Sequence, residues 1–459
     1  MATVAECQSS TKGVSLAVIE LNDVQHVFAT AGPQAGFTLR EQLWNVLTSL
    51  DRALQPLDAA ESLLHLTVFL VDGGQMSACR QMIRDFYGEN TPATSFVPQT
   101  PCTGGLVAVE VLALGRGHER IKIEHVNDQL LIAREDGVSW IFADQAMPRT
   151  SAPGVYEKTI CAYQHLQRLL PKAGARLDQV LRTWLYLGGI VEEEGATQRY
   201  KELNRARADV YDHVEFMADR LPEGEPASHY PASTGIGTNG RGLCVSALAL
   251  VSDRDEVVAV PLENPRQTPA FDYAASYSPQ SPKFSRGLAA VVGNYTTLFI
   301  SGTASITHSE TRHIGDPVGQ THETLENIAA LISEQNLANH GLPGKGTTLQ
   351  GIGVARVYIK RQEDYPAIRA VCDQRLPGVP LNYLIADVCR PDLLVEIEGI
   401  AFTRHDEQPT AAHLPLVRRC HGHCGGHAEQ FPTSLTVCPT GCPQRLACPY
   451  AVLPPAAEG

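Results

Sequence analysis

No run of eighteen apolar residues occurs in the 459-residue chain, so no membrane-spanning helix is expected. The opening Met1-Ala2-Thr3-Val4-Ala5-Glu6-Cys7 lacks a basic segment followed by an apolar one; a secretory leader is therefore not expected, and a cytoplasmic location is. Basic stripes are missing too. The net charge is −13 with no local surplus of Lys and Arg, which argues against nucleic acid as a partner. It also means that an anionic ligand has to be held by a few local arginines against a repulsive background. The histidines of the body show no ligand spacing, and His308, His313 and His322 are read as surface residues. Seven of the twelve cysteines stand singly through the body, as suits reduced thiols, while five crowd into the last forty residues.

What remains is the composition of a globular protein, 43% hydrophobic and 19% charged, long enough for two to four domains. The periodicity then repeats itself. Strands around 13–21 and 27–31 are followed by a helix over 38–54, with Leu39, Leu43, Val46, Leu47 and Leu50 on one face. A strand over 64–71, a helix over 75–87, an extended stretch from Pro92 and a strand over 106–114 complete the set. The same order recurs from Gln129 to Ala249 and from Thr297 to Phe402. The middle strands end alike: Val68-Phe69-Leu70, Leu185-Tyr186-Leu187 and Val357-Tyr358-Ile359. Repetition at a domain-sized period implies three copies of one α+β fold. The expected boundaries are 1–118, 119–260 and 261–405, with Pro261–Pro282 as an ordered linker and 406–459 as a tail.

The most unusual stretch closes the third copy: Val395-Glu396-Ile397-Glu398-Gly399-Ile400-Ala401. At period two, Glu396 and Glu398 share a face opposite Val395 and Ile397. A carboxyl on an apolar strand must be paired or protonated unless that face meets water. The chemical reading is an acid mounted on a rigid strand to donate a proton, with Glu398 lifting its pKa by like-charge repulsion or serving a structural role.

Ser301-Gly302-Thr303, the helix over 320–331 and the Glu396 strand resemble the RidA/YjgF superfamily, whose small α+β domains normally form trimers with active sites between subunits. Three such modules in one chain would resemble that trimer covalently joined: a pseudo-trimer able to act as a monomer. The deaminases of that superfamily resemble one another in an Arg after a Pro-Ala and a Glu on the last strand. Here the first copy has Pro92-Ala93-Thr94 and Ala108, and the second has Pro231-Ala232-Ser233 and Cys244. The third keeps Glu396 but has Leu381-Asn382-Tyr383 where the Arg belongs. That pattern implies one active site and disfavours simple deaminase activity.

A narrower resemblance covers about residues 120–405. Pro261-Leu262-Glu263-Asn264-Pro265-Arg266, Pro282-Lys283-Phe284-Ser285-Arg286, Thr321-His322-Glu323-Thr324-Leu325 and Asp387-Val388-Cys389-Arg390 are similar to chorismatases. Those enzymes hydrolyse the enolpyruvyl ether of chorismate; the first module is something that family usually lacks. The resemblance implies Glu396 as proton donor and needs no cofactor for catalysis. Chorismate carries two carboxylates, which implies arginines: Arg390, Arg286 and Arg207 in matching segments, with Arg199 and Arg312 as lesser candidates. Tyr186 is a further substrate-binding candidate, facing the third module across an interface. Gly302, Thr303 and Ala304 would let substrate approach backbone. Cys389 resembles the cysteine of chorismatases that form 3-hydroxybenzoate rather than a dihydrodiol, and Arg390 beside it is expected to favour thiolate. The alternatives are a RidA-like protein binding small carboxylates or partners without catalysis, and an enamine deaminase. In the tail, Cys420, Cys424, Cys438 and Cys442 form two C-x3-C pairs that would suit a zinc ion, an unstructured tail and disulfides being the alternatives.

Overall fold

The structure, a computed structural model, describes residues 5–7, 11–148, 152–221, 230–274 and 280–405. The cysteines of the tail lie outside the described residues. Among the described residues no helix is long and apolar enough to cross a membrane.

The first sheet contains β1 (Val14–Leu21), β2 (Val24–Ala31), β3 (Leu63–Leu70), β4 (Ala93–Pro98) and β5 (Val107–Leu114), in the order β1-β2-β5-β3-β4. Two helices, α1 (Leu39–Leu54) and α2 (Met76–Tyr87), accompany it. Thr38 and Glu41 form a reciprocal cap at the start of α1, satisfying donors that a helix start otherwise leaves orphaned. The residues predicted for its apolar face, Leu39, Leu43, Val46, Leu47 and Leu50, are all buried against the sheet.

The second sheet holds β6 (Lys122–Asn127), β7 (Leu130–Glu135), β8 (Val138–Ala146), β9 (Val180–Gly188), β10 (Ala232–Thr238) and β11 (Leu243–Ser252). Its order, β10-β9-β11-β8-β7-β6, repeats that of the first sheet, where Ala5–Cys7 pairs beside β1 as β6 pairs beside β7. Its helices are α3 (Val155–Leu169) and α4 (Arg199–Tyr211). α4 stops at Tyr211, where Asp212 leaves helical geometry and His213 takes a positive φ of 63°.

The third sheet is built from β12 (Val258–Leu262), β13 (Gly287–Val292), β14 (Tyr295–Ala304), β15 (Ile352–Ile359), β16 (Leu381–Ile385) and β17 (Val395–Arg404). The order is β12-β13-β14-β17-β15-β16, with α5 (Pro317–Leu331) and α6 (Tyr365–Arg375) beside it. Two strands cross expected boundaries. Pro261 and Leu262 are not linker but the end of β12, paired with Leu288 and Gly287. Thr100 and Pro101, from the first copy, extend the edge beyond β16 by pairing with Ile385 and Leu384. Two residues of the connector are held by side chains: the Asn264 amide donates to the Asn327 carbonyl at 2.8 Å and that of Gln267 to Ile306 at 3.0 Å.

Each sheet turns one face to its helices. Part of the opposite faces meets in a shared cluster containing Phe69, Tyr186 and Tyr358, with Ala108 and Cys244 beside the first two. Cross-strand register places Phe69 opposite Ala108, Tyr186 opposite Cys244, and Tyr358 opposite Glu396. The correspondence read from the sequence between Ala108, Cys244 and Glu396 is thus a correspondence in space.

Candidate active site

Glu396 sits on β17 with its neighbours Val395 and Ile397 buried in the core on the helix side of the sheet. Its carboxyl faces a cavity of about 510 Å³ between the second and third sheets. Glu396, Gly302, Ala304, Cys389 and Arg390 come from the third copy; Tyr200, Asn204 and Arg207 come from α4, and Ser233 and Gly235 from β10. The segment between β12 and β13 completes the wall with Tyr273, Phe284 and Arg286.

A register shift between Ile300, paired with Gly399, and Thr303, paired with Ile397, bulges β14 across from Glu398 and brings Gly302 against the Glu396 carboxyl. A Cβ added to Gly302 would lie 2.2 Å from Glu396 Oε1, so only glycine leaves room for the carboxyl. Glu396 itself is 4% exposed. Among the described residues its carboxyl has no hydrogen-bond or ion-pair partner. Burial, then the neighbouring Glu398, push its pKa up to about 8 against the opposing pull of Arg182 and Arg286. At pH 7 such a group is roughly nine-tenths protonated, about 300-fold more than at an ordinary value near 4.5.

Glu398, two residues on, has the opposite fate. Arg182 and Thr234 donate to Oε2, while Tyr358 donates to Oε1 at 2.6 Å and Arg356 at 3.1 Å. Burial pushes this carboxyl up, but the two guanidiniums and two hydroxyls outweigh it and hold it below its usual range. One face of one strand therefore carries a protonated and an ionised carboxyl, an arrangement suited to proton donation.

Two arginines in the cavity wall make no salt bridge to a carboxylate among the described residues, although Glu263 acts on Arg286 from further off. Arg207, 1% exposed, donates to Asn204 Oδ1 at 2.6 Å and Ser233 Oγ at 3.3 Å. Arg286, 4% exposed, donates to the Thr268 carbonyl at 2.8 Å and Tyr273 Oη at 2.6 Å. The Nε of each has no partner. Buried charges are normally paired, so two such guanidiniums around one cavity mark a site for anions. Arg390 also lines it, donating to the Ser309 carbonyl at 2.9 Å. The more open concavity beside Phe37 and Trp44, about 930 Å³, holds no comparable convergence of buried charge.

Several expected site residues lie elsewhere. Tyr186 does not line the cavity; it is 3% exposed in the central cluster, and its hydroxyl accepts from Arg356 at 3.0 Å. Thr303 turns its hydroxyl to the Ser301 carbonyl at 2.8 Å, off the cavity lining. Glu398 is enclosed by its donors and likewise does not line it. Arg199 is tied to Glu194 and Arg312 lies near Glu310. Cys389 does line the cavity, but the expectation of a thiolate is overturned: burial, then Glu396, push its thiol up to about 12 against the weaker pull of Arg390. Two residues went unpredicted, Arg182 and Arg356. Each is an arginine inside an apolar strand, a pattern that demands a buried carboxylate nearby. Among the described residues no cluster of three or more His, Cys, Asp or Glu could hold a metal ion.

Comparison with known proteins now decides the family. A 3-hydroxybenzoate synthase of Streptomyces hygroscopicus is 38% identical over 250 residues, 53% of this chain and 69% of that protein. The chain belongs to the chorismatase family. The model of the chorismatase FkbO/Hyg5-like N-terminal domain matches residues 118–249. A chorismatase of the same organism is 33% identical over 287 residues, covering 61% of this chain and 78% of its own. A solved chorismatase structure is similar with a TM-score of 0.57 and 26% identity, across 74% of this chain and 93% of that one. That share is larger than residues 120–405 supply, so the likeness reaches beyond the stretch to which the sequence resemblance was confined.

Proposed function

We propose that this chorismatase-family enzyme hydrolyses the enolpyruvyl ether of chorismate, releasing pyruvate and 3-hydroxybenzoate. The observation that carries the reading is the buried, protonated Glu396 facing a cavity walled by Arg207 and Arg286, neither of which makes a salt bridge among the described residues. Chorismate offers two carboxylates for the arginines and a vinyl ether for the acid. Relatives named chorismatase and 3-hydroxybenzoate synthase support the same substrate.

Glu396 donates its proton to the terminal methylene carbon of the enolpyruvyl group, leaving an oxocarbenium ion and a carboxylate. Water adds at the cationic carbon and loses a proton, giving a hemiketal. The hemiketal collapses by breaking its bond to the ring oxygen, which takes a proton; pyruvate and a dihydroxycyclohexadiene carboxylate result. Loss of one water from that ring gives 3-hydroxybenzoate. Protonating carbon is slow, and a positioned acid is typically worth about 10²–10⁴-fold. Cys389, a neutral thiol beside the acid, is placed in this proposal to steer the ring product.

We also propose that the copies are RidA-like modules, about 1–118, 119–256 and 257–405, arranged around a pseudo-threefold axis so that one chain can act as a monomer. The shared strand order and the meeting of Phe69, Tyr186 and Tyr358 support this. The deciding experiment for function is incubation of purified protein with chorismate. Equimolar pyruvate and 3-hydroxybenzoate are expected. No pyruvate above background overturns the reading in favour of a binding protein.

A further inference from the structure

Glu110 lies on β5 of the first sheet, yet both of its oxygens serve the third. They accept from Arg356, at 3.0 Å from Nε and 2.7 Å from Nη2, and the side chains are 13% and 5% exposed. Arg356 turns Nη1 to Glu398 at 3.1 Å and to Tyr186 at 3.0 Å. The other oxygen of Glu398 takes Arg182. Two guanidiniums and two carboxylates therefore share one interior space, and their charges cancel. Glu396 lies two residues from Glu398 on the same face of β17 and directly opposite Tyr358, so the balance within this group sets part of the field at its carboxyl.

We propose that Glu110 is a positioning residue for Glu396: by offsetting the charge of Arg356, it keeps that guanidinium from drawing the proton off Glu396. The inference rests on the reading of Glu396 as the acid, and it gives the first module a chemical role beyond packing. The other groups around Glu396 act independently of Glu110. Tyr358 and Cys389 are held neutral by burial. Arg286 and Arg182 favour the ionised form of Glu396 whether or not Glu110 is charged. Arg207 and Tyr200, across the cavity on α4, are likewise untouched by a change at Glu110, as is the His65–Asp144 contact at 3.1 Å behind Trp184.

The sign follows from charge counting. Neutralising Glu110 leaves Arg356 in surplus, so Glu396 loses its proton at lower pH and activity falls earlier as pH rises. Neutralising Arg356 leaves a carboxylate in surplus and moves the fall to higher pH. An elementary charge about 10 Å away in a protein interior of effective dielectric constant about 20 corresponds to about one pH unit.

The test is the pH dependence of kcat for pyruvate release from chorismate by the full chain. Glu110→Gln should move the alkaline limb down by about one unit, and Arg356→Gln should move it up by about as much. Glu110→Asp, which keeps the charge, should restore it. If one glutamine variant fails to fold, the direction of the other decides. An unmoved limb in a folded variant, or shifts in the same direction, overturns the proposal. A wild-type enzyme that releases no pyruvate overturns the acid reading of Glu396 instead.

Discussion

Gly302→Ala tests the geometry of the acid without touching its chemistry. The φ of Gly302 lies outside the left-handed region, so alanine is compatible with the backbone and the only change is the new methyl. That methyl would sit 2.2 Å from Glu396 Oε1 and 3.1 Å from Thr234 Cγ2, where ordinary contact begins near 3.4 Å. Pressed from two sides, it forces the carboxyl to retreat by about 1 Å into the cavity. A displacement of that size costs about 10²-fold in turnover when the group transfers a proton. If the carboxyl cannot retreat, the cost appears instead as overpacking of about 1–3 kcal/mol in stability. The assay is kcat for pyruvate release, with thermal unfolding alongside, in wild type, Gly302→Ala, Glu396→Gln and the double variant. The methyl should cost little further turnover once Glu396 is already glutamine. A Gly302→Ala enzyme within about threefold of wild type, or an equal loss in both backgrounds, refutes the reasoning.

Arg207→Met and Arg286→Met should each raise KM for chorismate by about 10- to 150-fold, the equivalent of about 1.5–3 kcal/mol for a hydrogen bond to a charged group; steady-state kinetics would show it, and unchanged KM values would remove the arginines from the site. Cys389→Ala should still release pyruvate but shift the ring product towards the dihydrodiol, read by chromatography of the products; an unchanged ratio returns Cys389 to strand packing. Deleting residues 1–118 strips Glu110 and Thr67 from Arg356 and uncovers the apolar cluster around Tyr358, so aggregation or a new oligomer is expected by light scattering. A well-behaved, fully active monomer would make the first module an appendage.

The repeat was legible because its signals are local: alternation on strands, three-to-four spacing on α1 and the aromatic at the end of each middle strand. Glu396 was legible for the same reason, as a carboxyl out of place in an apolar strand. What the sequence does not show locally depends on partners distant along the chain. Arg356 meets Glu110 across 246 positions and Arg182 meets Glu398 across 216, and no local pattern reports such a pairing. At Cys389 adjacency to Arg390 in sequence favours a thiolate, whereas burial beside Glu396 keeps the thiol protonated. Tyr186 occupies the position expected of it on β9, yet it faces the central cluster rather than the cavity, because the cavity lies on the α4 side of the interface.

The central claim is that Glu396 protonates the enol ether, and the most direct measurement is turnover of chorismate by Glu396→Gln. The amide keeps the size of the side chain and its place beside Gly302 but has no proton to give. Pyruvate release should fall by about 10²–10⁴-fold with KM and thermal unfolding near wild type. A folded Glu396→Gln enzyme that keeps more than about a tenth of wild-type turnover would contradict the account.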